Sequence, residues 1–190
     1  MILSFDIGIK NLAYCLINQD DNELNIIRWD IINLVKDNEK CKNISLDEIT
    51  NRLYRSLNSH FYSYKITEVL LENQPVLKNP VMKSIQMIIF SFFQYQKILL
   101  NREINLIKLI NASNKLKIGK TFTEINNNED ILKIKTKYMR NKKLAILYTY
   151  KVIDEKIKNS ENYINFFNDS KKKDDLSDAI LQAIYHIKVY

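Results

Sequence analysis

With 190 residues, 46% of them hydrophobic and 27% charged, the chain is expected to form one globular domain over 1–190, with a core large enough to need no disulfide or structural metal. Its two cysteines, Cys15 and Cys41, form no CxxC pair, so neither a zinc site nor a disulfide framework is indicated, and no apolar run reaches the roughly 18 residues a spanning helix needs. The formal net charge of +7 favours a polyanionic partner, because clustered Lys and Arg neutralise phosphates and release counterions.

Residues 1–6 (MILSFD), 12–18 (LAYCLIN) and 24–31 (LNIIRWDI) are β-compatible runs parted by turn-prone residues, and they predict a three-stranded meander. A strand pattern that begins at residue 2 leaves no room for a signal or transit peptide, so a reducing, cytosolic setting is expected. Residues 46–59 place Leu46, Ile49, Leu53 and Leu57 at helical spacing, with Ser45 as N-cap and Glu48 as its capping-box partner. Residues 67–72 (TEVLLE) predict a buried strand that ends in Glu72.

Pro75 and Pro80 bracket a loop, after which residues 81–100 predict a long helix. Val81, Ile85, Ile88, Phe92, Tyr95 and Leu99 form a stripe, with Met82, Ile89, Phe93 and Leu100 beside it, and this exceeds what one sheet contact uses. Two accounts stay open: a helix buried on both sides, or an outer face that makes a homodimer. Residues 104–111 predict a fifth strand, 112–130 a polar linker holding Gly119, and 129–158 a basic helix, either continuous or broken. A last helix starts near Asp174, with Leu176, Ile180, Ala183 and Ile187 as its packing stripe. This order implies an α/β fold, a five-stranded mixed sheet flanked by helices, its later strands parallel to the first.

Asp6 ends the first strand, Glu72 ends the fourth, and Asp174, Asp175 and Asp178 fall in the first turn of the last helix. Sites in such sheets form at the carboxyl ends of strands, so adjacency of strands one and four would set Asp6 beside Glu72. Asp175 and Asp178 lie three apart and project from one side of their helix. With only His60 and His186 present and no spacing that pairs them, a hydrolytic metal site would rest on these acids. Phosphodiester hydrolysis explains the gathering: Mg²⁺ prefers hard oxygen ligands, and two ions about 4 Å apart activate the attacking water and stabilise the departing 3′ oxygen. Without metal the carboxylates would repel one another. Taken singly, an acid after a strand is commonly a turn residue, and acids in a first helical turn commonly serve capping and the macrodipole.

The stretches SFDIGIKNLAYCLI, LLENQPVLKNPVMKSIQ and KKKDDLSDAILQA resemble the RuvC-like Holliday junction resolvases of the ribonuclease H-like superfamily. The likeness is greatest to the branch with the poxvirus and fungal mitochondrial enzymes, and it keeps the acidic motifs in the family's order. It implies a ribonuclease H-like fold and a metal-binding tetrad of Asp6, Glu72, Asp175 and Asp178, with Asp174 as the alternate to Asp175. The cofactor implied is Mg²⁺, two per site, with Mn²⁺ as a substitute. The partner implied is branched DNA, cut at four-way junctions by a homodimer built through helix 81–100. In the viral branch the task is to resolve replicated concatemers into unit genomes, at a replication site in the host cytoplasm; a mitochondrial home is disfavoured by the lack of a transit peptide. KYMRNKKLAIL is similar to the family's basic segment, which makes Arg140, Lys142 and Lys143 candidate phosphate contacts. The 112–130 linker is longer than the resemblance leads one to expect.

Lys171, Lys172 and Lys173, directly before the acidic turn, either form a solvated charge run or draw the phosphate backbone toward the metals. Lys10 and Asn11 after the first strand, and Gln74 and Lys78 after Glu72, are further candidates to line the cleft. A sugar-kinase or actin-like phosphotransferase shares the topology but needs several glycine-rich turns, and Gly8 and Gly119 are the only glycines. A ribonuclease H acting on RNA–DNA hybrids and a catalytically silent junction-binding protein are the remaining alternatives.

Overall fold

The computed structural model describes residues 1–20, 23–77 and 79–189, the side chain of residue 189 excepted. One mixed sheet runs in the order β3 (Glu23–Ile32), β2 (Leu12–Asp20), β1 (Ile2–Asp6), β4 (Glu68–Glu72), β5 (Leu106–Ile110). The first three strands are antiparallel neighbours, while β4 pairs parallel to β1 and β5 parallel to β4. Parallel neighbours require crossovers, which α1 (Leu46–Phe61) and α2 (Pro80–Leu99) supply. The five-stranded mixed sheet expected from the order of elements is therefore present.

Strand alternation divides the core in two. Leu3, Phe5, Tyr14, Leu16, Val69 and Leu71 face α1 and α2. Ala13, Cys15 and Ile17 face the second helical layer of α5 (Lys137–Lys156), α6 (Ser160–Asp169) and α7 (Lys173–Val189). The turn from β1 to β2 is tight enough to demand glycine, since a Cβ on Gly8 would stand 2.3 Å from the Asn11 carbonyl oxygen.

Several expected details are corrected. The Ser45 hydroxyl accepts from the Glu48 amide at 3.1 Å, but the Glu48 carboxylate takes a hydrogen bond from Arg52 Nε at 2.7 Å, within a Glu48–Arg52–Glu39 cluster, leaving half a capping box. Leu46 is exposed, and Phe61 completes the buried stripe of α1. On α2 the buried face is Ile85, Gln86, Ile89, Phe92, Phe93 and Gln96, so Val81, Tyr95 and Leu99 point to solvent together with Met87 and Ile98. Two glutamines occupy core positions there, which an apolar stripe does not register. A helix buried on both sides is thereby ruled out.

The expected linker is ordered differently. A 3-10 helix (Ala112–Thr121) leads to two one-turn helices, α3 (Thr123–Asn126) and α4 (Glu129–Leu132), and the basic helix is indeed broken, resuming as α5. The separate helix α6 was not foreseen; it begins after Asn159, whose left-handed backbone (φ 55) turns the chain sharply, and Phe167 stacks on Trp29 at 5.2 Å. No helix among the described residues is long and apolar enough to cross a membrane.

Candidate active site

Because Phe5 pairs with Leu71 across parallel strands, Asp6 and Glu72 leave the sheet side by side at its carboxyl edge. The last helix is laid over β1 by a buried amide: Gln182 Nε2 donates to Ser4 Oγ at 3.0 Å and to the Phe5 carbonyl at 3.2 Å. Trp29 Nε1 fixes the first turn by donating to the Leu176 carbonyl at 3.0 Å. Asp178, one turn before Gln182, is thus held over the strand ends. Asp6, Glu72 and Asp178 each place one carboxylate oxygen within 4.8 Å of the others.

The residue that composition and pattern did not reveal is Lys115. It arrives from the 3-10 helix after β5, where its ammonium donates to Glu72 Oε1 at 2.9 Å and also to Asp178. In the same 3-10 helix, four residues on, Gly119 packs so closely on the Tyr148 ring that a Cβ would lie 2.0 Å from Cζ. The only sequence signal was that glycine in an otherwise polar stretch.

Burial dominates the electrostatics. It pushes the Asp6 carboxyl well above the usual carboxylate range, helped by the neighbouring charge of Glu72 and a hydrogen bond to it. Asp178 is pushed up to about 6, by burial that the Lys115 charge only partly offsets. Burial alone would raise Glu72 as well, yet the Lys115 ammonium and hydrogen bonds from Asp6, Lys115 and Gln74 hold it below its ordinary value. Gln74 Nε2 donates to Glu72 Oε2 at 2.8 Å. Fully ionised, the three carboxylates would exceed the one ammonium by two negative charges in a largely buried site. A donor set made of oxygen atoms with that excess charge fits a hard divalent cation.

Asp175 stands beside this group rather than in it. Asn11 hydrogen-bonds its carboxylate, and burial together with Asp174 raises its pKa. The shared helix face therefore brings Asp175 and Asp178 to one cavity of about 500 Å³ but gives them different partners. Asp174 pairs with Lys142 at 2.5 Å, and although burial opposes ionisation, that ammonium holds its carboxyl below the ordinary range.

The basic candidates divide in the same way. Lys10, Lys143, Lys171 and Lys172 are exposed. Lys173 Nζ donates to the carbonyls of Asn168 (2.7 Å) and Ser170 (2.8 Å) and so closes the end of α6. Arg140 donates to the Ile134 carbonyl at 2.8 Å and braces the break before α5. Lys142 is held by Asp174, and Lys78 lies outside the described residues.

The sheet order, with acids at the ends of β1 and β4 and on the last helix, defines a ribonuclease H-like fold with a cluster of carboxylates at its strand ends. Comparison with solved structures agrees. The chain is similar to the yeast mitochondrial Holliday junction resolvase (TM-score 0.69, 18% identity, 97% of this chain and 77% of that one). It is similar also to the fowlpox virus resolvase in complex with Holliday junction DNA (0.61, 21%, all of both chains) and to Thermus thermophilus RuvC (0.56, 9%, 98% and 94%). The family described as "Poxvirus A22 protein" matches residues 1–106, and the chain belongs to that family. A protein of Acanthamoeba polyphaga mimivirus, described as uncharacterized, is 36% identical over 137 residues, 70% of this chain; the chain spans about a third (31%) of that relative's length.

Proposed function

We propose that this protein is a Mg²⁺-dependent endonuclease that cuts four-way DNA junctions. The observation that carries the reading is the convergence of Asp6, Glu72 and Asp178 from two parallel strand ends and a helix onto one point, with Asp175 on the rim of the same cavity. Family membership and the likeness to structures named as junction resolvases support the substrate class. The viral sources of the family and of the mimivirus relative support a task in resolving concatemeric genomes, at a replication site in the host cytoplasm.

Asp6, Glu72 and Asp178 would hold the metal, two ions with Asp175 contributing, and Mn²⁺ would be an alternative to Mg²⁺. Bound there, Mg²⁺ would supply Lewis-acid stabilisation of the phosphoryl oxygens and lower the pKa of the attacking water. The chain's own residues do the rest. Gln74 orients the Glu72 carboxylate and Asn11 that of Asp175. Lys115 directs a fixed positive charge into the site, where it opposes the charge that builds on the phosphoryl group during in-line displacement. No histidine stands in the cluster, so no side-chain general base is assigned.

The exposed apolar face of α2, with Val81, Met87, Tyr95, Ile98 and Leu99, supports assembly as a homodimer, which would present two centres to the two symmetric strands of a junction. The test is cleavage of a synthetic four-way junction, with linear duplex and RNA–DNA hybrid alongside, in Mg²⁺ and in EDTA. Paired nicks in the junction alone, abolished by EDTA and by Glu72→Gln, are the expected result. Cutting of the hybrid with the junction left intact would place the protein with the ribonucleases, and binding without cutting would make it a structural protein.

A further inference from the structure

The break between α4 and α5 sets an aromatic residue on the rim of the carboxylate cavity. Tyr138, in the first turn of α5, is 66% exposed, yet it lines the same cavity as Lys115, Asp174, Asp175 and Asp178. Lone exposed tyrosines are ordinary, but this one is held. The Lys142 ammonium, one turn on, lies 5.0 Å from the centre of its ring. Lys142 is in turn fixed at 2.5 Å by Asp174, next to the catalytic acids. The ring is thereby tied to the acidic turn through one ion pair, at little further cost in rotamer entropy on binding.

The surroundings identify what the ring would meet. The first two turns of α5 carry Lys137, Arg140, Lys142 and Lys143 and no acid, so a polyanion is drawn to this wall. Asp175 and Asp178 line the same cavity as the tyrosine, so a phosphate held at these acids would bring its attached nucleoside toward the ring. In continuous duplex the faces of each base are covered by its neighbours. Only where the stack is interrupted, as at a branch point, is a base face free to cover an aromatic ring.

Building on the nuclease reading above, we infer that Tyr138 is a specificity-determining residue that stacks on an unstacked nucleobase next to the scissile phosphate, and so favours branched over continuous DNA. Asp174 acquires a role in the same arrangement: it is a positioning residue that acts on the ring through Lys142.

The test compares the unmodified protein with Tyr138→Ala and Tyr138→Phe. Each is given a four-way junction carrying 5-iododeoxyuridine at positions flanking the branch, and a continuous duplex of the same sequence. Cleavage, binding and photo-crosslinking are measured. A crosslink at Tyr138 from one branch-flanking position is expected. Tyr138→Ala should lose it and weaken junction binding about 10-fold, within the range for loss of one base–aromatic stack. Binding to duplex should be unchanged. Tyr138→Phe, which keeps the ring, should retain junction binding. Junction binding by Tyr138→Ala equal to that of the unmodified protein, with no crosslink at Tyr138, would overturn the inference while leaving the nuclease reading intact. An equal loss on junction and duplex, or an equal loss in Tyr138→Phe, would overturn it too. Failure of the unmodified protein to bind or cut the junction would remove the nuclease reading itself. The side chain is exposed, so an unchanged melting temperature checks that the variants fold.

Discussion

Lys115 Nζ stands 2.9 Å from Glu72 Oε1 and donates also to Asp178, so the connection after β5 closes the site that β1, β4 and α7 open. An ammonium between two carboxylates offsets their repulsion at rest and, on the proposed nuclease reading, would face a phosphoryl group as it gathers charge. Lys115→Met should keep the packing of the stem and delete the charge. Junction cleavage is expected to fall about 100-fold or more, by analogy with removal of one preorganised donor. Metal-induced stabilisation should persist, because the carboxylates remain. A variant that cuts normally would deny Lys115 any part in the chemistry.

The same carboxylates make the metal-free fold sensitive to pH. Asp6 and Asp178 have folded pKa values raised above the unfolded value of about 3.9. Below that value both are protonated in either state and cost nothing. As pH rises, the unfolded chain ionises first, so stability declines until each folded pKa is passed, about 6 for Asp178. Glu72, lowered, works in the opposite sense and offsets part of the loss. In EDTA the melting temperature is expected to fall between pH 5 and pH 8. Asp6→Asn should flatten that fall and raise the melting temperature at pH 8. Mg²⁺ at 100 times its Kd should add about 2.7 kcal/mol to the unmodified protein and less to the variant. No gain in Asp6→Asn would mean that the buried carboxyl carries no strain.

How far the site was legible follows from where each residue's signal lies. Asp6 and Glu72 each end a short apolar strand, a local pattern, and the crossover helices imply their adjacency, which the β1–β4 pairing bears out. Asp178 shares a helix face with Asp175, but which of the two meets the strand acids depends on Asn11 and Lys115, partners distant in sequence. Lys115 itself sits in a 3-10 helix without apolar period, placed by Gly119 on Tyr148 and by Ile118 in the core. The buried face of α2 departs from its apolar stripe because Gln86 and Gln96 are buried, Gln86 with its Oε1 accepting from the Gln74 amide, which hydropathy does not weigh.

Gly119 is therefore a structural determinant of the site. Gly119→Ala would place a methyl about where the Tyr148 ring lies, and that ring is buried with its hydroxyl donated to Asn126. Overpacking of this kind costs about 1–3 kcal/mol. Cleavage should fall by more than the loss of folded protein explains, because the strain lies four residues from Lys115. Calorimetry beside single-turnover cleavage separates the two effects, and a loss accounted for wholly by unfolding would disconnect Gly119 from the site.

Gln86 links the outer helix to the same carboxylates. Its Oε1, wholly buried, accepts from the Gln74 amide at 2.8 Å and from Lys83 at 3.2 Å, while the Gln74 side chain holds Glu72. The helix whose far face is proposed to meet a second copy thus fixes the loop that orients Glu72. Gln86→Met fills the space but strands the Gln74 amide, at a cost of about 1–3 kcal/mol in stability. Freed from that anchor, the loop should lower kcat about 10-fold, a size typical of lost positioning, with little change in KM for the junction. Gln86→Glu, which keeps an acceptor facing Lys83, should recover most of the rate. A matching loss in both variants would assign Gln86 to packing alone, whereas rescue by the glutamate would place it in the line of contacts from α2 through Gln74 to Glu72.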